Sequence, residues 1–561
     1  MDAIVFGATG FIGRSLVAEL LTRGLRVAAA VRNDTLTPWL TSQGVDTGGL
    51  DVVVADITRP LAGLPEVRDV YNAAGRFAFG LGVREARATN VTGALNVLEW
   101  AAQLPGLRRL VHISGYRVSA SEGHPDYAGL GAYEASKFEG DLAVRARAAA
   151  LGVPLTIANP STVIGPGQYI GLASLVEDLW NGRLPALPGG PDTFLPIATI
   201  EYFVRFLAEV PTAPAGEHYW VLDDDTPLLP ELIGTIADHI GVRAPRRTVP
   251  AALLRRLPRR LTGADPETLA FLSTDRYPTA SARAFAAGAG LEMPPAADAL
   301  RGWADDLVAA RFGAASPWLR PHGFTEVAGS RTWVSGERQR PDHVLLHGLP
   351  MNADLWAPLA ALLPGAVLAP DLPGLGRSAA PAGPVDAWLA DLLAPVRTRP
   401  TLVAHSLACG PALRFAVDHP DRVGGLVLIS PAFLQAPASR LARSGLAAAM
   451  LRRMSAARLA RTLGVPEGAE VGSAAADLSR RGAARRVVAA LRTDVAGRRR
   501  SRELLDRVTV PVRIVVGSAD PLVEAADHPV AEIDGAGHYP QLTHPAQVAR
   551  HLAAVSARIG G

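Results

Sequence analysis

The chain has 561 residues, too many for one hydrophobic core, and its length predicts two to four domains. Hydrophobic residues make up 48% and charged residues 19%, which excludes global disorder, and a net charge of +3 gives no reason to expect nucleic-acid binding. A single cysteine, Cys409, excludes a disulfide framework and a thiolate zinc site, and no metal site is predicted. Among the 56 basic residues only Lys137 is a lysine, which marks its position for chemistry that arginine cannot perform.

Hydropathy and the start of the chain indicate where in the cell the protein is expected. No run of about 20 apolar residues occurs, so no membrane-spanning helix is predicted. The first predicted strand begins at Ala3, which leaves no room for a signal peptide, and we expect a cytoplasmic protein. Its expected partners are small-molecule substrates, without nucleic acid or membrane, and homo-oligomerisation is left open.

A short apolar strand at residues 3–6 leads into a glycine-rich turn. Gly7, Gly10 and Gly13 follow in the spacing Gly-x-x-Gly-x-x-Gly, and a helical pattern begins near Arg14. Glycine lets the turn close tightly and lets a pyrophosphate approach, while the helix N-terminus supplies N–H groups. Because the pattern lies between a strand and a helix, it predicts a dinucleotide-binding site.

The second predicted strand, residues 26–31, ends at Arg32. Sites that prefer NAD usually carry an acid at this place, whereas arginine suits the 2′-phosphate of NADP. The sequence therefore favours NADP(H) over NAD(H), and the alternative is a solvated loop arginine. Asp56, which follows the apolar residues 52–54, is expected to contact the adenine.

Three residues further along the chain indicate the chemistry. Ser114 ends a predicted strand, and Tyr133 and Lys137 lie four residues apart at the start of a predicted helix, on one helix face. An ammonium beside a phenol should lower the pKa of the phenol, which would make Tyr133 a proton donor or acceptor near neutral pH. Arginine would replace Lys137 poorly because its planar fork is bulkier than an ammonium.

With these motifs, the first ~310 residues resemble the extended short-chain dehydrogenases/reductases of the NAD-dependent epimerase/dehydratase type. The resemblance rests on the glycine-rich turn, Asp56-Ile57, residues 72–75, residues 90–93, Ser114, Tyr133, Lys137 and residues 160–167. It implies a Rossmann-type doubly wound parallel sheet with a small substrate lobe. It also implies that Tyr133 is the catalytic acid/base, that Ser114 holds the substrate oxygen and that Lys137 binds the nicotinamide ribose. The implied cofactor contacts are Gly7, Thr9, Gly10, Phe11, Ile12, Gly13, Arg32, Asp56, Ile57, Ala73, Ala74, Gly75, Asn90, Lys137 and Pro160.

This half departs from the family pattern at three places. Gly115 replaces a second serine, Asn159 replaces an arginine, and residues 197–201 lack the usual Val-Asp-Asp signature. With Arg32, these differences argue against nucleotide-sugar substrates. The resemblance then implies a ketone reductase or hydroxyl dehydrogenase, similar to the 3β-hydroxysteroid dehydrogenase and dihydroflavonol reductase branches. An isomerase that retains NAD is the alternative.

Gly, Ser and Pro cluster at residues 312–323, just after an amphipathic stretch. We predict a reductase domain at residues 1–315, a linker at 316–322 and a second domain at 323–561. A second strand-and-turn start at residues 343–350 carries motifs unlike those of the first half. The chain is therefore predicted to be a fusion of two α/β domains rather than a duplication.

Ser406 follows a predicted strand and precedes an apolar helix, the position of a nucleophile elbow. Elbows usually carry Gly two residues on either side of the serine, and here both places hold alanine, Ala404 and Ala408. Asp520 and His538 each follow a later predicted strand. In the order Ser, Asp, His, Ser406 would attack a carbonyl, His538 would move its proton and Asp520 would orient the imidazole.

The second domain closely resembles the α/β-hydrolases, on this triad and on residues 347–350 and 370–378. The resemblance implies oxyanion-hole N–H groups from Leu349 and Leu407 and a helical cap at about residues 432–505. Residues 436–502 carry 15 arginines and four acids, and residues 447–463 show a helical pattern. We interpret the arginines as a solvated helix face, and the alternative is attraction of an acidic substrate such as a carboxylate or a phosphopantetheine-borne acyl chain.

Together these motifs predict a bifunctional enzyme that acts in the biosynthesis or breakdown of a polyketide-like or acyl metabolite. The first domain would transfer hydride between NADP(H) and a carbonyl or secondary alcohol, and the second would hydrolyse an ester, thioester or lactone. Three alternatives stay open for the second half: cleavage of a carbon–carbon bond, cyclisation and acyl transfer. A further alternative is that one half is a non-catalytic scaffold.

Overall fold

The computed structural model describes residues 1–75, 81–118, 125–256, 269, 272–380, 382–520 and 528–556. The chain divides into two compact units. The first comprises Met1–Val176, Leu184–Ala237 and Ala244–Trp303, and the second comprises Glu177–Arg183, Asp238–Arg243 and Ala304–Gly561. Each unit is built around its own β-sheet.

The strands of the first unit are short and mostly buried. In chain order they are β1 (Ala3–Phe6), β2 (Val27–Val31), β3 (Leu50–Val54), β4 (Asp69–Asn72), β5 (Arg109–Ile113), β6 (Leu155–Pro160), β7 (Thr162–Ile164), β8 (Leu187–Pro188), β9 (Ile197–Thr199), β10 (His218–Val221) and β11 (Thr248–Val249). Seven of them form one parallel sheet in the order β10-β6-β5-β4-β1-β2-β3, while β7 pairs with β9 and β8 with β11. Every residue of β1 and β2 is buried, as expected where both faces of a parallel sheet are covered.

The helices that precede the second sheet follow in chain order. They are α1 (Phe11–Thr22), α2 (Leu36–Ser42), α3 (Val83–Arg87), α4 (Ala94–Ala101), α5 (Tyr127–Leu151), α6 (Leu172–Trp180), α7 (Ile200–Glu209), α8 (Leu229–Ile240), α9 (Ala251–Arg256), α10 (Ala280–Gly288) and α11 (Ala296–Ala309). A π-helix at Ala88–Gly93 joins α3 to α4, and short 3₁₀ helices lie at Val210–Thr212 and Arg311–Gly313. Helix α5 is broken at Gly131, whose φ of 81° is not helical, two residues before Tyr133.

The second unit contains an eight-stranded sheet. Its strands are β12 (His322–Val327), β13 (Ser330–Gly336), β14 (His343–Leu346), β15 (Val367–Pro370), β16 (Thr401–His405), β17 (Gly425–Ile429), β18 (Val512–Gly517) and β19 (Val530–Ile533). Their order is β12-β13-β15-β14-β16-β17-β18-β19. Strands β12 and β13 pair with each other, and β13 with β15, in antiparallel fashion, and the remaining pairs are parallel.

The helices of the second unit follow in chain order. They are α12 (Ala357–Ala360), α13 (Val385–Leu393), α14 (Cys409–Asp418), α15 (Gly445–Arg452), α16 (Ala456–Leu463), α17 (Ala469–Ser479), α18 (Ala483–Leu505), α19 (Pro540–Thr543) and α20 (Pro545–Ser556). Short 3₁₀ helices lie at Ala353–Trp356, Ser406–Ala408, Pro420–Arg422 and Ala432–Leu434. Among the helices in the described ranges, none combines the length and apolarity needed to cross a bilayer.

The helical cap comprises α15 to α18, which are inserted between β17 and β18. The helical pattern over residues 447–463 corresponds to two helices, α15 and α16, in the structure. The break is at Ser455, whose hydroxyl accepts a hydrogen bond from the Arg458 amide and caps the start of α16. Serine is among the residues preferred at the N-cap of a helix, and the spacing of apolar residues does not show where such a cap lies.

A buried ionic cluster connects the cap to the body of the second unit. The guanidinium of Arg311 lies 2.7 Å from the Asp477 carboxylate on α17 and 3.0 Å from Asp354. Ser473 Oγ accepts from Arg311 at 2.6 Å, and Arg377 contacts Asp354 at 2.9 Å. Because these charges are paired with one another, they can be buried without leaving an uncompensated ion.

Candidate active sites

The first unit holds a cavity of about 450 Å³ that brings most of the predicted reductase residues together. The lining includes ten of them: Gly10, Phe11, Ile12, Gly13, Ala73, Gly75, Ser114, Tyr133, Lys137 and Pro160. These residues come from the glycine-rich turn after β1, from the ends of β4, β5 and β6, and from α5. This is the arrangement expected at the carboxyl ends of a parallel sheet, where open α/β folds bind their ligands.

In the glycine-rich turn, backbone segments pack directly against one another because no side chains separate them, and this leaves space for a ligand. A Cβ atom on Gly13 would lie 2.1 Å from the carbonyl oxygen of Gly7, so no larger residue fits there. Gly7 itself has a φ of 76° and packs against the backbone of Ala73 and Ala74. Helix α1 begins directly after Gly10, which provides no side-chain cap for its N–H groups. The residues present therefore fit the pyrophosphate of a dinucleotide.

Lys137 is buried beneath this cavity and is held by the sheet. Its Nζ atom donates a 3.0 Å hydrogen bond to the carbonyl oxygen of Ile113, the last residue of β5. Burial lowers the pKa of Lys137 to about 8, although Asp141 and Glu134 favour the charged form. The ammonium is thus held beside Ser114 in the lining of the cavity, where it can contact a ribose hydroxyl.

The expected effect of Lys137 on Tyr133 is wrong for this structure. Burial raises the pKa of Tyr133 well above its usual value, and the charge of Glu134 raises it further. The sequence argument counted only the ammonium four residues away and could not weigh the loss of hydration around the phenol. In the cofactor-free protein Tyr133 is therefore a neutral phenol at pH 7.

Ser114, which lines the cavity, and Asn90, which lies beside the lining residue Gly75, are both buried. Ser114 is buried, and its hydroxyl has no hydrogen-bond partner within the described residues. Asn90 lies in the π-helix, and its side-chain amide donates to Ser136 Oγ at 2.9 Å. A buried hydroxyl without a protein partner is costly, so the Ser114 hydroxyl can form a hydrogen bond with a ligand oxygen in the cavity.

Other predicted cofactor residues lie outside the cavity lining. Arg32 is exposed directly after β2, and Asp56 is exposed two residues after the neighbouring strand β3. Asp56 accepts hydrogen bonds from the amide and hydroxyl of Thr58, which lower its pKa, and Arg32 lowers it slightly further. The remaining predicted contacts Gly7, Thr9, Ile57 and Ala74 belong to the turns at the same edge of the sheet.

The rest of the cavity lining is largely apolar. Six apolar residues that follow β7 in the chain line it: Ile170, Leu172, Leu175, Pro188, Leu195 and Leu272. Two charged residues that the sequence analysis did not single out, Arg117 and Glu134, also line it, with 3.9 Å between their nearest charged atoms. Their proximity to Ser114 and Tyr133 in sequence was the only signal that could have indicated them.

In the second unit, the structure brings Ser406, His538 and Asp520 into one chain of contacts. Ser406 Oγ lies 3.0 Å from His538 Nε2, and His538 Nδ1 lies 2.7 Å from Asp520 Oδ2. Burial alone would raise the pKa of Asp520, but hydrogen bonding and charge from His538 hold it below its usual value. Asp520 is thus a carboxylate that can accept a hydrogen bond from Nδ1–H, which leaves Nε2 as the acceptor for the serine hydroxyl.

The turn at Ser406 has the strained geometry of a nucleophile elbow despite its two alanines. Ser406 has a φ of 53°, which is rare for a residue other than glycine. Gly348 packs against this turn, and a Cβ on Gly348 would lie 2.7 Å from the Ser406 Cβ and 2.6 Å from His405 Nδ1. Ala404 and Ala408 are both fully buried and fit without displacing the turn.

The two predicted oxyanion residues flank the serine. Leu349 follows Gly348, and its carbonyl oxygen accepts a 2.7 Å hydrogen bond from the hydroxyl of Tyr539, the residue after His538. Leu407 follows Ser406 inside the 3₁₀ helix Ser406–Ala408. His405 Nε2 contacts the carbonyl oxygen of His538 at 2.9 Å, so the elbow and the histidine loop are joined on both sides.

The cap arginines form hydrogen bonds with backbone carbonyl groups. Arg480, Arg486, Arg492, Arg498 and Arg502 donate to the carbonyl oxygens of Gly376, Gly374, Arg443, Gln435 and Phe433, respectively. The distances range from 2.5 to 3.2 Å. For Arg480, Arg486, Arg498 and Arg502 a purely solvated helix face is therefore wrong, because they bond to the segments at residues 374–376 and 433–435. Arg492 is exposed, and its partner Arg443 lies within the inserted segment itself.

The cysteine near the elbow lies in the interior. Cys409 is fully buried at the start of α14, with its Sγ 3.2 Å from the carbonyl oxygen of Ala404. This agrees with a small buried side chain rather than a reactive thiol.

Comparison with known proteins assigns both halves. Residues 3–179 match the model of the NAD dependent epimerase/dehydratase family, and residues 344–551 match that of the alpha/beta hydrolase family. Over 266 residues the chain is 29% identical to 2-alkyl-3-oxoalkanoate reductase from Stenotrophomonas maltophilia, covering 44% of this chain and 77% of the relative. Over 268 residues it is 27% identical to sterol demethylase protein B from Methylococcus capsulatus, covering 46% and 79%.

The second half has a curated relative of its own. Over 242 residues it is 31% identical to pimeloyl-[acyl-carrier protein] methyl ester esterase from Aromatoleum aromaticum, which covers 37% of this chain and 94% of the relative. The predicted fusion is thus confirmed. The second half belongs to the alpha/beta hydrolase family, and it is joined to a first half that matches the model of the NAD dependent epimerase/dehydratase family over residues 3–179.

Proposed function

We propose that the first unit is an NADP(H)-dependent oxidoreductase that interconverts a carbonyl group and a secondary alcohol. We propose that the second unit hydrolyses an ester, thioester or lactone with Ser406 as nucleophile. The observation that carries the proposal is the contact chain from Ser406 through His538 to Asp520, together with the cavity shared by Ser114, Tyr133 and Lys137.

In the first unit, the chain's own residues would handle the carbonyl oxygen and its proton. When bound, the reduced cofactor supplies the hydride. Tyr133 is a neutral phenol at pH 7 and can donate its proton to the carbonyl oxygen, which favours the reductive direction. The buried Ser114 hydroxyl can donate to the same oxygen, and Lys137 can hold a ribose hydroxyl.

NADP(H) is proposed rather than NAD(H) because of the residues at the ends of β2 and β3. Arg32 offers a guanidinium where a 2′-phosphate would lie. Asp56 is hydrogen-bonded to Thr58, within the same loop.

In the second unit, the steps would follow from the contacts of the triad. Ser406 Oγ attacks the carbonyl carbon while its proton passes to His538 Nε2, and His538 then protonates the leaving group, which gives an acyl-enzyme. Water, deprotonated by His538, attacks the acyl-enzyme and releases the acid and Ser406. Asp520 stabilises the imidazolium in both steps, and the amides of Leu349 and Leu407 would hold the oxyanion.

An acyl compound is proposed as the substrate of both units. The six apolar residues of the first cavity suit a hydrocarbon chain rather than a sugar nucleotide. One relative of the first half is named a 2-alkyl-3-oxoalkanoate reductase, and one relative of the second half is named for an ester of an acyl chain on a carrier protein. These names support consecutive steps on one 3-oxoacyl-type molecule.

The test compares full-length wild type with Tyr133→Phe and Ser406→Ala. Oxidation of NADPH with 3-oxo acids and their esters should be lost in Tyr133→Phe and retained in Ser406→Ala. Hydrolysis of p-nitrophenyl esters and labelling by a fluorophosphonate should show the reverse pattern. Absence of fluorophosphonate labelling in folded wild type would favour a scaffold role for the second unit, and tightly bound NAD in the purified protein would favour an isomerase.

A further inference from the structure

The carboxylate of Asp520 has two further neighbours besides His538, the hydroxyl of Ser430 and the side-chain amide of Gln435, and the amide makes the closer described contact. The side-chain Nε2 of Gln435 lies 2.5 Å from Asp520 Oδ2, the same oxygen that His538 Nδ1 contacts at 2.7 Å. The two nitrogens are 3.4 Å apart. Because an amide NH₂ group has only hydrogens to offer, Gln435 and His538 both donate to one oxygen instead of bonding to each other.

Gln435 is held in this position through its backbone. It follows the 3₁₀ helix Ala432–Leu434, at the point where the chain leaves the sheet for the cap. Its carbonyl oxygen accepts a 2.5 Å hydrogen bond from Arg498, and the carbonyl oxygen of Phe433 accepts one of 2.6 Å from Arg502. Both arginines belong to α18, so the longest helix of the cap fixes the residue that touches the triad carboxylate.

We propose that Gln435 is a positioning residue of the hydrolase site: it fixes the Asp520 carboxylate and shares that oxygen's charge with His538, and Arg498 holds Gln435 in place. This inference rests on the proposed hydrolase function of the second unit. It connects the cap, which the proposed mechanism does not use, to the proton transfer at Ser406.

The physical consequence concerns how strongly Asp520 holds a proton on His538. Each donor that bonds Oδ2 withdraws part of its negative charge, so the carboxylate stabilises the imidazolium less. Loss of the Gln435 donor should therefore make His538 more basic. Other titratable or charged groups also face this pair, namely the neutral buried His405, the Tyr539 phenol and Arg498, and a Gln435 variant leaves all three unchanged.

The experiment measures kcat and KM for a p-nitrophenyl ester against pH in the full-length protein. Gln435→Met keeps the length of the side chain and removes the donor. We expect the acidic limb of its kcat/KM profile to move upward by about 0.5–1 pH unit, with kcat roughly 3–10-fold lower and KM nearly unchanged. Gln435→Asn keeps the amide but shortens its reach, and it should shift the limb in the same direction.

Two matched controls separate this effect from general damage. Gln547→Met makes the same chemical change on α20 and should leave the limb in place. Arg498→Met should shift the limb in the same direction as Gln435→Met, whereas Arg492→Met, which removes a similar bond to the Arg443 carbonyl from the same helix, should not.

Failure of the inference differs from failure of the proposed function. If wild type hydrolyses the ester and both Gln435 variants lose activity without a shift of the limb, Gln435 has only a structural role and the inference is overturned. If wild type does not turn over any ester, the proposed function fails, and NMR titration of the His538 ring, assigned by its loss in His538→Gln, then decides the inference. An equal apparent pKa of His538 in wild type and Gln435→Met overturns it, and a higher pKa in the variant supports it.

Discussion

The only lysine of the chain donates its Nζ hydrogen bond to the carbonyl oxygen of Ile113, 3.0 Å away, at the end of β5. Ile113 immediately precedes Ser114, so the ammonium and the proposed substrate-binding hydroxyl are fixed to one strand end. The same burial that positions the ammonium also disfavours its charge, since it lowers the pKa of Lys137 to about 8. The position is therefore costly to the folded protein, as is common for functional groups.

The first prediction is that Lys137→Met stabilises the cofactor-free protein near pH 7. An unfolded lysine titrates near 10.4, so wild type loses folding free energy wherever the folded state must carry the buried charge. The gain should be of order 1–3 kcal/mol below pH 8 and should shrink as pH rises from about 8 towards 10.5. Thermal unfolding of both proteins across this range measures it.

The control for this prediction is activity. Lys137→Met should lose NADPH-dependent reduction, and Lys137→Arg, which keeps a charge in a bulkier form, should lose it too. A Lys137→Met protein that is no more stable than wild type at pH 7 would show that the ammonium is not penalised by its burial.

The second prediction concerns the choice of cofactor. Arg32→Ala should raise the KM for NADPH by about 10–100-fold, because a charge-assisted hydrogen bond contributes roughly 1.5–3 kcal/mol, and should leave the KM for NADH nearly unchanged. Arg26, exposed just before β2 at the other end of the same strand, provides the matched control, and Arg26→Ala should alter neither value. Equal losses with both cofactors would remove the case for a 2′-phosphate contact.

The sequence predicted both folds and the residues that the structure brings together at each site. This succeeded because glycine spacing, the Tyr133–Lys137 interval and the order of Ser406, Asp520 and His538 are properties of short segments placed at strand ends. Gln435 has no such signal, since its contact with Asp520 joins residues 85 apart and depends on where the cap begins. The predicted direction of the Tyr133 pKa shift was wrong for a related reason. The spacing of residues in the sequence does not show how much water a side chain loses when the protein folds.

The third prediction concerns the close packing of Gly348 against the elbow. Gly348→Ala would place a Cβ 2.7 Å from that of Ser406, so the turn must move. We expect a loss of about 1–3 kcal/mol in unfolding free energy and a fluorophosphonate labelling rate that falls roughly tenfold or more. Gly445→Ala, at a position with open space around it, should leave the labelling rate unchanged. A wild-type labelling rate in Gly348→Ala would contradict this prediction, because it would mean that the turn at Ser406 can move without reducing the reactivity of the serine.

The fourth prediction concerns the buried cluster that ties the cap to the body of the second unit. Arg311→Met would leave the carboxylates of Asp477 and Asp354 partly uncompensated, and we expect about 3–5 kcal/mol of destabilisation. Arg301→Met removes an exposed ion pair with Asp298 and should cost at most about 1 kcal/mol. Denaturant unfolding of the two variants measures the difference, and similar values would show that the cluster contributes little.

The cap arginines Arg480, Arg486, Arg498 and Arg502 bind main-chain carbonyl groups, which every amino acid carries. Substitutions at Gln435 or Phe433 therefore leave these attachments in place unless the backbone itself moves. A change of side chain at Gln435 can thus alter the contact with Asp520 while the cap stays anchored. For protein engineering, this makes the segment after β17 a place where the basicity of the catalytic histidine can be changed by mutagenesis without redesigning how the lid is held.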